Sequence, residues 1–386
     1  MDNNEIKYED PCVGAAERER AEKNGFFSYI PIPARVFFCI FIFALTSHLL
    51  SFASETFANF FNEKIAAAVR LVLAKATGWV PFSLVEAVVI ALPAMIAAVL
   101  IAFVHISKRG KRESVRFIVM FSSILTMLYS MFVLTLGTGY QNSPLDVKLG
   151  IERKPVSAEE LYDTALKVSD ELDGLVGGVY FPLGGGSSYM PYSLDEMNSK
   201  LNDAYDVLRA EHPFIPRLHS RVKYVALSVP WTYTHFSGVY CYYTGEANIN
   251  INFPDYTIPF TAAHELAHQR GVCPEDEANF VAFLCCISSD DAYIRYSGYQ
   301  NMLEYLMNAL YTADRDMYNE LWNVINDKSA AEIRAYNEFF EPYRKSVASK
   351  VSSALNDTYL KALGESSGEK SYGMVVDLAV AYYKGK

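Results

Sequence analysis

The stretch TAAHELAHQRGVCPEDEANFVAF, residues 261–283, sets two histidines four apart with a glutamate between them, and an acidic cluster follows one short turn later. On a helix, positions i and i+4 share a face, so His264 and His268 can offer imidazole nitrogens to one ion. Glu265 stands one position round from His264. There it can reach a metal-bound water without being a ligand, as a general base does. Pro259 just ahead, Thr261 as a cap and Gly271 as a left-handed terminator predict the helix itself. Nowhere else do two of the seven histidines cluster.

Two histidines leave a zinc site short of a third protein ligand. An HExxHxxGxxH arrangement would need histidine at 274, and that residue is Pro274. The remaining solution is a carboxylate from the next helix, where Glu275, Asp276 and Glu277 compete. Glu275 shares a face with the small residues Ala278 and Ala282, which let two helices approach, and with Asn279, which could orient a ligating histidine. Glu277 shares its face with Phe280, Val281 and Leu284, a core pattern. The pattern favours Glu275 over Glu277. Cys273 reads better as a small buried residue than as a ligand.

Upstream, the chain is strongly apolar. Residues 36–53 and 117–136 carry no Asp, Glu, Lys or Arg, and residues 82–104 carry only Glu86. Each run is about the length a bilayer requires, so 36–136 reads as a membrane domain of three transmembrane helices. A 35-residue polar tail precedes the first, which argues against a cleaved signal peptide. Lys7, Arg18, Arg20, Lys23, Arg35, Lys108, Arg109, Lys111, Arg112 and Arg116 lie on one side of these spans. Lys64, Arg70, Lys75, Lys148, Arg153 and Lys154 lie on the other. That bias places the tail 1–35 in the cytoplasm and residues 137–386 outside, in a multi-pass protein of the cell membrane. Residues 57–75 read as an amphipathic segment, either interfacial or a plain linker helix.

From about 150 onward the pattern is that of an α+β domain. Ser157 with Glu160 and Ser193 with Glu196 are capping boxes that open helices. VKYVALSVP (222–230) and GVYCYYTGEANININF (238–253) are rich in β-branched and aromatic residues and read as strands. After 260 the pattern is nearly all helical. A net charge of −10 argues against nucleic acid as a partner. Six scattered cysteines form neither a disulfide framework nor a zinc ribbon.

A glutamate with Asn four residues on, following HExxH, resembles the gluzincin metallopeptidases; Glu275 and Asn279 fall on those positions. Residues 230–284, with TGEAN, HELAHQRG and EDEANF in succession, resemble a bacterial family of unknown function whose members are membrane-anchored and zincin-like. YSGYQNMLEYLMNALY (296–311) is similar to that family's next helix. The resemblance implies three N-terminal transmembrane helices before a zincin-like α+β domain holding one zinc ion. It also implies a strand through Tyr243, Gly245 and Asn248 that aligns an extended peptide. Glu246 could then meet a substrate amine, though it reads better as a surface carboxylate. Tyr299, Tyr305, Tyr311, Arg315 or His235 could stabilise an oxyanion. The expected function is a membrane-anchored zinc metallopeptidase acting on peptide or protein substrates outside the membrane, with the lipid bilayer as its other partner. A non-catalytic zinc-binding sensor or scaffold and a zinc amidase acting on the cell wall are the alternatives.

Overall fold

The computed structural model describes residues 29–363 and 373–385, apart from 184 and 345. The tail residues Lys7, Arg18, Arg20 and Lys23 lie outside the described residues. The protein is mostly helical with one small sheet, a less mixed architecture than the sequence suggests. Among the described residues, three helices are long and apolar enough to cross a membrane: Ile32–Ala53, Leu84–Ser107 and Lys111–Thr135. At 1.5 Å per residue, 22 to 25 residues exceed the roughly 30 Å of a hydrocarbon core. They turn their apolar side chains outward; Leu84–Ser107 buries none of its residues.

The chain divides into two compact units. Residues up to 46 together with 90–131 form the first. Its helices meet through ring contacts such as Phe41 with Tyr129, 5.7 Å between centroids, and Phe103 with Phe117, 5.6 Å.

The second unit comprises residues 47–89 and 132–386. By contacts, then, 47–89 sits with the large C-terminal domain, whereas apolarity alone groups it with the membrane domain 36–136. Polar anchors explain this. The segment 55–78 is helical throughout, with a π-helical turn at Phe61–Ala66 that carries a buried Asn62. Arg70 is 1% exposed and donates to the Thr135 carbonyl at 2.5 Å and to Asn62 Oδ1 at 2.8 Å. Within 57–75 the segment turns Phe61, Asn62 and Arg70 inward and leaves Phe60 and Val72 exposed. Glu246 anchors the start of Leu84–Ser107 by accepting from the amides of Leu84 and Val85 at 3.1 and 3.3 Å. Glu86 in turn accepts from the amides of Ala226 and Leu227.

The sheet has three short strands in the order β1 (Lys223–Tyr224), β3 (Glu246–Ile249), β2 (Gly238–Cys241). β1 pairs with β3 in parallel and β2 pairs with it antiparallel, which leaves β2 at an edge. The 222–230 segment keeps only two residues of strand; its remainder turns into the helix Ser228–Thr232. Pairing continues only to the Val225 amide, which bonds the Ile249 carbonyl at 3.0 Å; Glu86 takes the next two amides, those of Ala226 and Leu227. β3 is buried at every residue, so the alternation near its end does not sort an inner from an outer face.

Both capping serines work as expected. Ser157 and Glu160 form a reciprocal box at Ala158–Val176, and Ser193 accepts from the Glu196 amide at Leu194–Glu211. The core gathers Ala158–Val176, the long helix Ala292–Ala313, and two helices between them in the chain, Thr257–Gln269 and Glu275–Ile287. The first of these, the histidine helix, buries all of its residues. Ala262, Ala263 and Ala267 permit close packing there, and the second, the glutamate helix, answers with Ala278 and Ala282.

Candidate metal centre

The histidine helix begins at Thr257, four residues ahead of the expected cap Thr261, and Pro259 falls within its first turn, where a missing amide costs nothing. It ends as expected. Gly271, at φ 93°, reverses the chain, and its amide bonds the His268 carbonyl at 2.9 Å. A Cβ at 271 would lie 2.3 Å from Arg70 Nη2, so the turn and the Arg70 clamp need glycine there. Asn62 seals this corner by donating to the Gly271 carbonyl at 2.9 Å. The next carbonyl, that of Val272, meets His268 Nδ1 at 2.8 Å, which turns Nε2 of that ring toward the glutamate helix.

There the Nε2 atoms of His264 and His268 stand 3.0 Å apart, and Glu275 Oε2 lies 3.1 Å from the first and 3.3 Å from the second. All three residues are buried and their ligand atoms converge, so the group could hold a metal ion. The spacing suits one. Donors about 2.0–2.1 Å from a tetrahedral ion stand about 3.3 Å from each other. The two rings are nearly perpendicular, at 88°, so each can aim its lone pair at a common point.

Glu275 reaches the histidines and its two neighbours do not. Asp276 is paired with Arg153 at 2.6 Å. Glu277 accepts from the Leu145 amide at 2.8 Å, and burial pushes its carboxyl up to about 7. Burial works against ionised Glu275 as well, but the two imidazoles outweigh it and hold that carboxyl well below the usual range. His268 mirrors this: burial pulls it down, and Glu275 more than restores it, to about 9.

Glu265 faces a different way. Burial pushes its carboxyl up to about 7 against the pull of His264 and His268. It accepts from the Tyr240 amide on β2, while Oε2 is buried with no hydrogen-bond partner. Gly238 of β2 passes directly beside it: a Cβ at that glycine would sit 2.5 Å from Glu265 Oε1.

His264 and Glu265 open on a cleft of about 540 Å³. Of the groups considered for an oxyanion, His235 and Tyr305 border it, and Tyr299, Tyr311 and Arg315 do not. Tyr299 packs on Phe283, and Arg315 stacks on Tyr311. His235 holds a left-handed backbone, φ 63°, with Nε2 buried and unpartnered. Asn279 hydrogen-bonds Tyr305. Glu246 is neither a surface carboxylate nor part of the cleft; it is buried against Lys223. Cys273 is a buried thiol pushed up to about 12 by burial, unfit as a ligand. All five cysteines among the described residues are free.

Sequence reasoning gave Asn62 and Gly238 no role and counted Arg70 only as a flanking charge; no local signal marks their packing. It also missed Ser349, Ser353 and Asn356, which line the cleft from the helix Val347–Leu363.

A family model described as "Protein of unknown function (DUF3810)" matches residues 61–380. The chain belongs to this family. The DUF3810 match spans both candidate helices and most of the cleft. No curated protein and no solved structure matches the chain.

Proposed function

We propose that this DUF3810 protein is a membrane-anchored zinc hydrolase that cleaves peptide bonds outside the membrane, its tail in the cytoplasm. One observation carries the reading: His264, His268 and Glu275 converge in a buried triangle, and an unpartnered carboxyl oxygen of Glu265 stands beside it. A structural ion pair would explain the triangle but leaves a desolvated glutamate at a cleft wall without a purpose. His264, His268 and Glu275 would hold the ion. Zinc there supplies a Lewis acid that polarises a carbonyl and makes a water nucleophilic near neutral pH. Glu265, poised near 7, takes a proton from the attacking water and returns it to the leaving nitrogen as the C–N bond breaks. His235 and Tyr305, which border the cleft, would donate to the carbonyl oxygen as charge develops on it.

The cleft also speaks to the substrate. Among the described residues lining it there is no lysine or arginine, so nothing pairs with a terminal carboxylate. That argues against a substrate held by its C-terminal end. Its abundance of hydroxyls and carboxamides beside Phe236, Phe253 and Phe260 supports a second reading, an amidase acting on a cell-wall polymer.

Zinc content and peptide cleavage, measured together on the purified full chain, test the proposal. About one zinc per chain is expected, lost in His264→Ala and in His268→Ala. Glu265→Gln should retain zinc and lose about a hundredfold or more in rate. Full zinc in both histidine variants would overturn the metal site. A Glu265→Gln variant as fast as wild type would overturn the mechanism. For topology, an impermeant thiol reagent on intact cells should label a cysteine introduced at Ser187 and spare one at Arg109; the reverse pattern inverts the orientation.

A further inference from the structure

The helix Val347–Leu363 is inside out. A surface helix ordinarily turns its apolar stripe toward the core and its polar face to water. Here Val347, Val351, Leu355 and Tyr359, a stripe about 120° wide at 3.6 residues per turn, are 78%, 53%, 65% and 41% exposed. The opposite side carries Ser349, Ser353 and Asn356, and these line the cleft. Leu360, fully buried, anchors the helix. Lys350 and Lys361 lie along one edge of the exposed stripe, Lys361 paired with Asp357 at 2.6 Å.

The apolar stripe is not isolated on the surface. The Tyr359 hydroxyl is hydrogen-bonded to Tyr242. The Tyr242 ring packs on Phe132, 5.4 Å between centroids, in the last turn of Lys111–Thr135. Phe132 meets His48, near the end of Ile32–Ala53, at 6.3 Å. One end of the stripe therefore lies a single side chain away from where an apolar helix long enough to cross a bilayer comes to its end. Tyr242, Tyr243 and Tyr359 cluster there, and tyrosines of this kind sit at headgroup level, where one end of the ring is dry and the other wet.

We infer that Val347–Leu363 is an interfacial helix that lays Val347, Val351, Leu355 and Tyr359 into the bilayer surface while its hydroxyl face walls the cleft. The stripe supplies the buried apolar area, and Lys350 at its edge reaches outward to lipid phosphates. An exposed apolar row on a water-facing helix is a liability, whereas at a bilayer it is the seat of the helix. The cleft then opens beside the membrane, and its substrate is a segment held close to the lipid surface. The inference rests on the apolar helices crossing a bilayer, but not on the metal.

Spin labels on the full chain in lipid nanodiscs test it, with Cys12 and Cys39 replaced by serine. Single labels go at Leu355 on the stripe, at Leu100 in Leu84–Ser107, and at Val324, exposed on another helix. The label at Leu355 should be relaxed several-fold more by oxygen than by a water-soluble nickel chelate, as at Leu100, and Val324 should show the reverse. A Leu355 label that behaves like Val324 while Leu100 reads lipid overturns this inference alone. Protection from both reagents means that protein, a second copy or the chain's own tail, covers the stripe, and it also overturns it. A water-exposed Leu100 overturns the membrane reading itself.

Discussion

Gly238 on β2 passes so close to Glu265 that a single added carbon would stand 2.5 Å from the carboxylate oxygen. The edge strand thus fixes the glutamate from outside, beside the His264–His268–Glu275 group that could hold a metal ion. The contact also separates two functions that most substitutions here would damage together.

Gly238→Ala should push the Glu265 carboxylate aside, because the far end of a side chain yields more readily than backbone. The expected result is about one zinc per chain retained, a stability cost of about 1 kcal/mol, and cleavage reduced on the order of a hundredfold. Metal analysis beside a cleavage assay reads both. Unchanged cleavage would mean that the carboxylate needs no such placement.

Asn62→Ala acts from a distance of 209 residues in the chain. It strips the donor from the Gly271 carbonyl and an acceptor from Arg70, at a cost of about 2 kcal/mol. Gly271 directly precedes Val272, whose carbonyl orients His268, so zinc affinity should also fall, about tenfold. Competition with a chelator measures the affinity and thermal unfolding the stability. Weaker unfolding resistance with intact affinity would show that the Val272 carbonyl is held by other contacts.

Glu275→Gln and Glu277→Gln should part company. A neutral amide is a poor zinc ligand, so the first should lose about a hundredfold or more in metal affinity. The second keeps an oxygen able to accept from the Leu145 amide and should leave metal content unchanged. Titration of zinc into the chelator-stripped variants distinguishes them; equal affinity in both would remove Glu275 from the site.

Glu304 borders the cleft, accepting from Tyr256 at 2.7 Å and Gln300 at 3.1 Å. Burial pushes its carboxyl up to about 7 despite those bonds. The folded chain therefore holds this proton more tightly than the unfolded chain does. The resulting stability is fully present below the usual value of 4.5 and is lost as pH rises through about 7. Because the side chain borders open water, the loss is on the order of 1 kcal/mol. Denaturant unfolding between pH 4.5 and 8 should show a shallower decline for Glu304→Gln; parallel curves would assign the decline to other groups.

What was legible in the sequence was local. An apolar run declares its length, and length against bilayer thickness needs no tertiary information; the three long apolar helices follow from it. Ser157 and Glu160 announce a helix start because both hydrogen bonds of the box close within four residues. His264 and His268 share a face by helix geometry alone. The choice among Glu275, Asp276 and Glu277 was different. Three adjacent carboxylates differ only in direction, and direction is set by how the second helix leans on the first: one faces the imidazoles, one Arg153, one the Leu145 amide. The strands shrank to four residues or fewer; past the Val225 amide, Glu86 takes the next two amides of that segment, so a distant partner and not β propensity decided where pairing could continue. The histidine helix buries every residue, so it carries no amphipathic period from which its neighbours could be read. The clamp of Asn62 and Arg70 on Gly271, and the placing of His235 and Gly238 beside Glu265, join segments tens to hundreds of residues apart. Such pairings depend on the packing of the whole unit, and no stretch of sequence holds both partners.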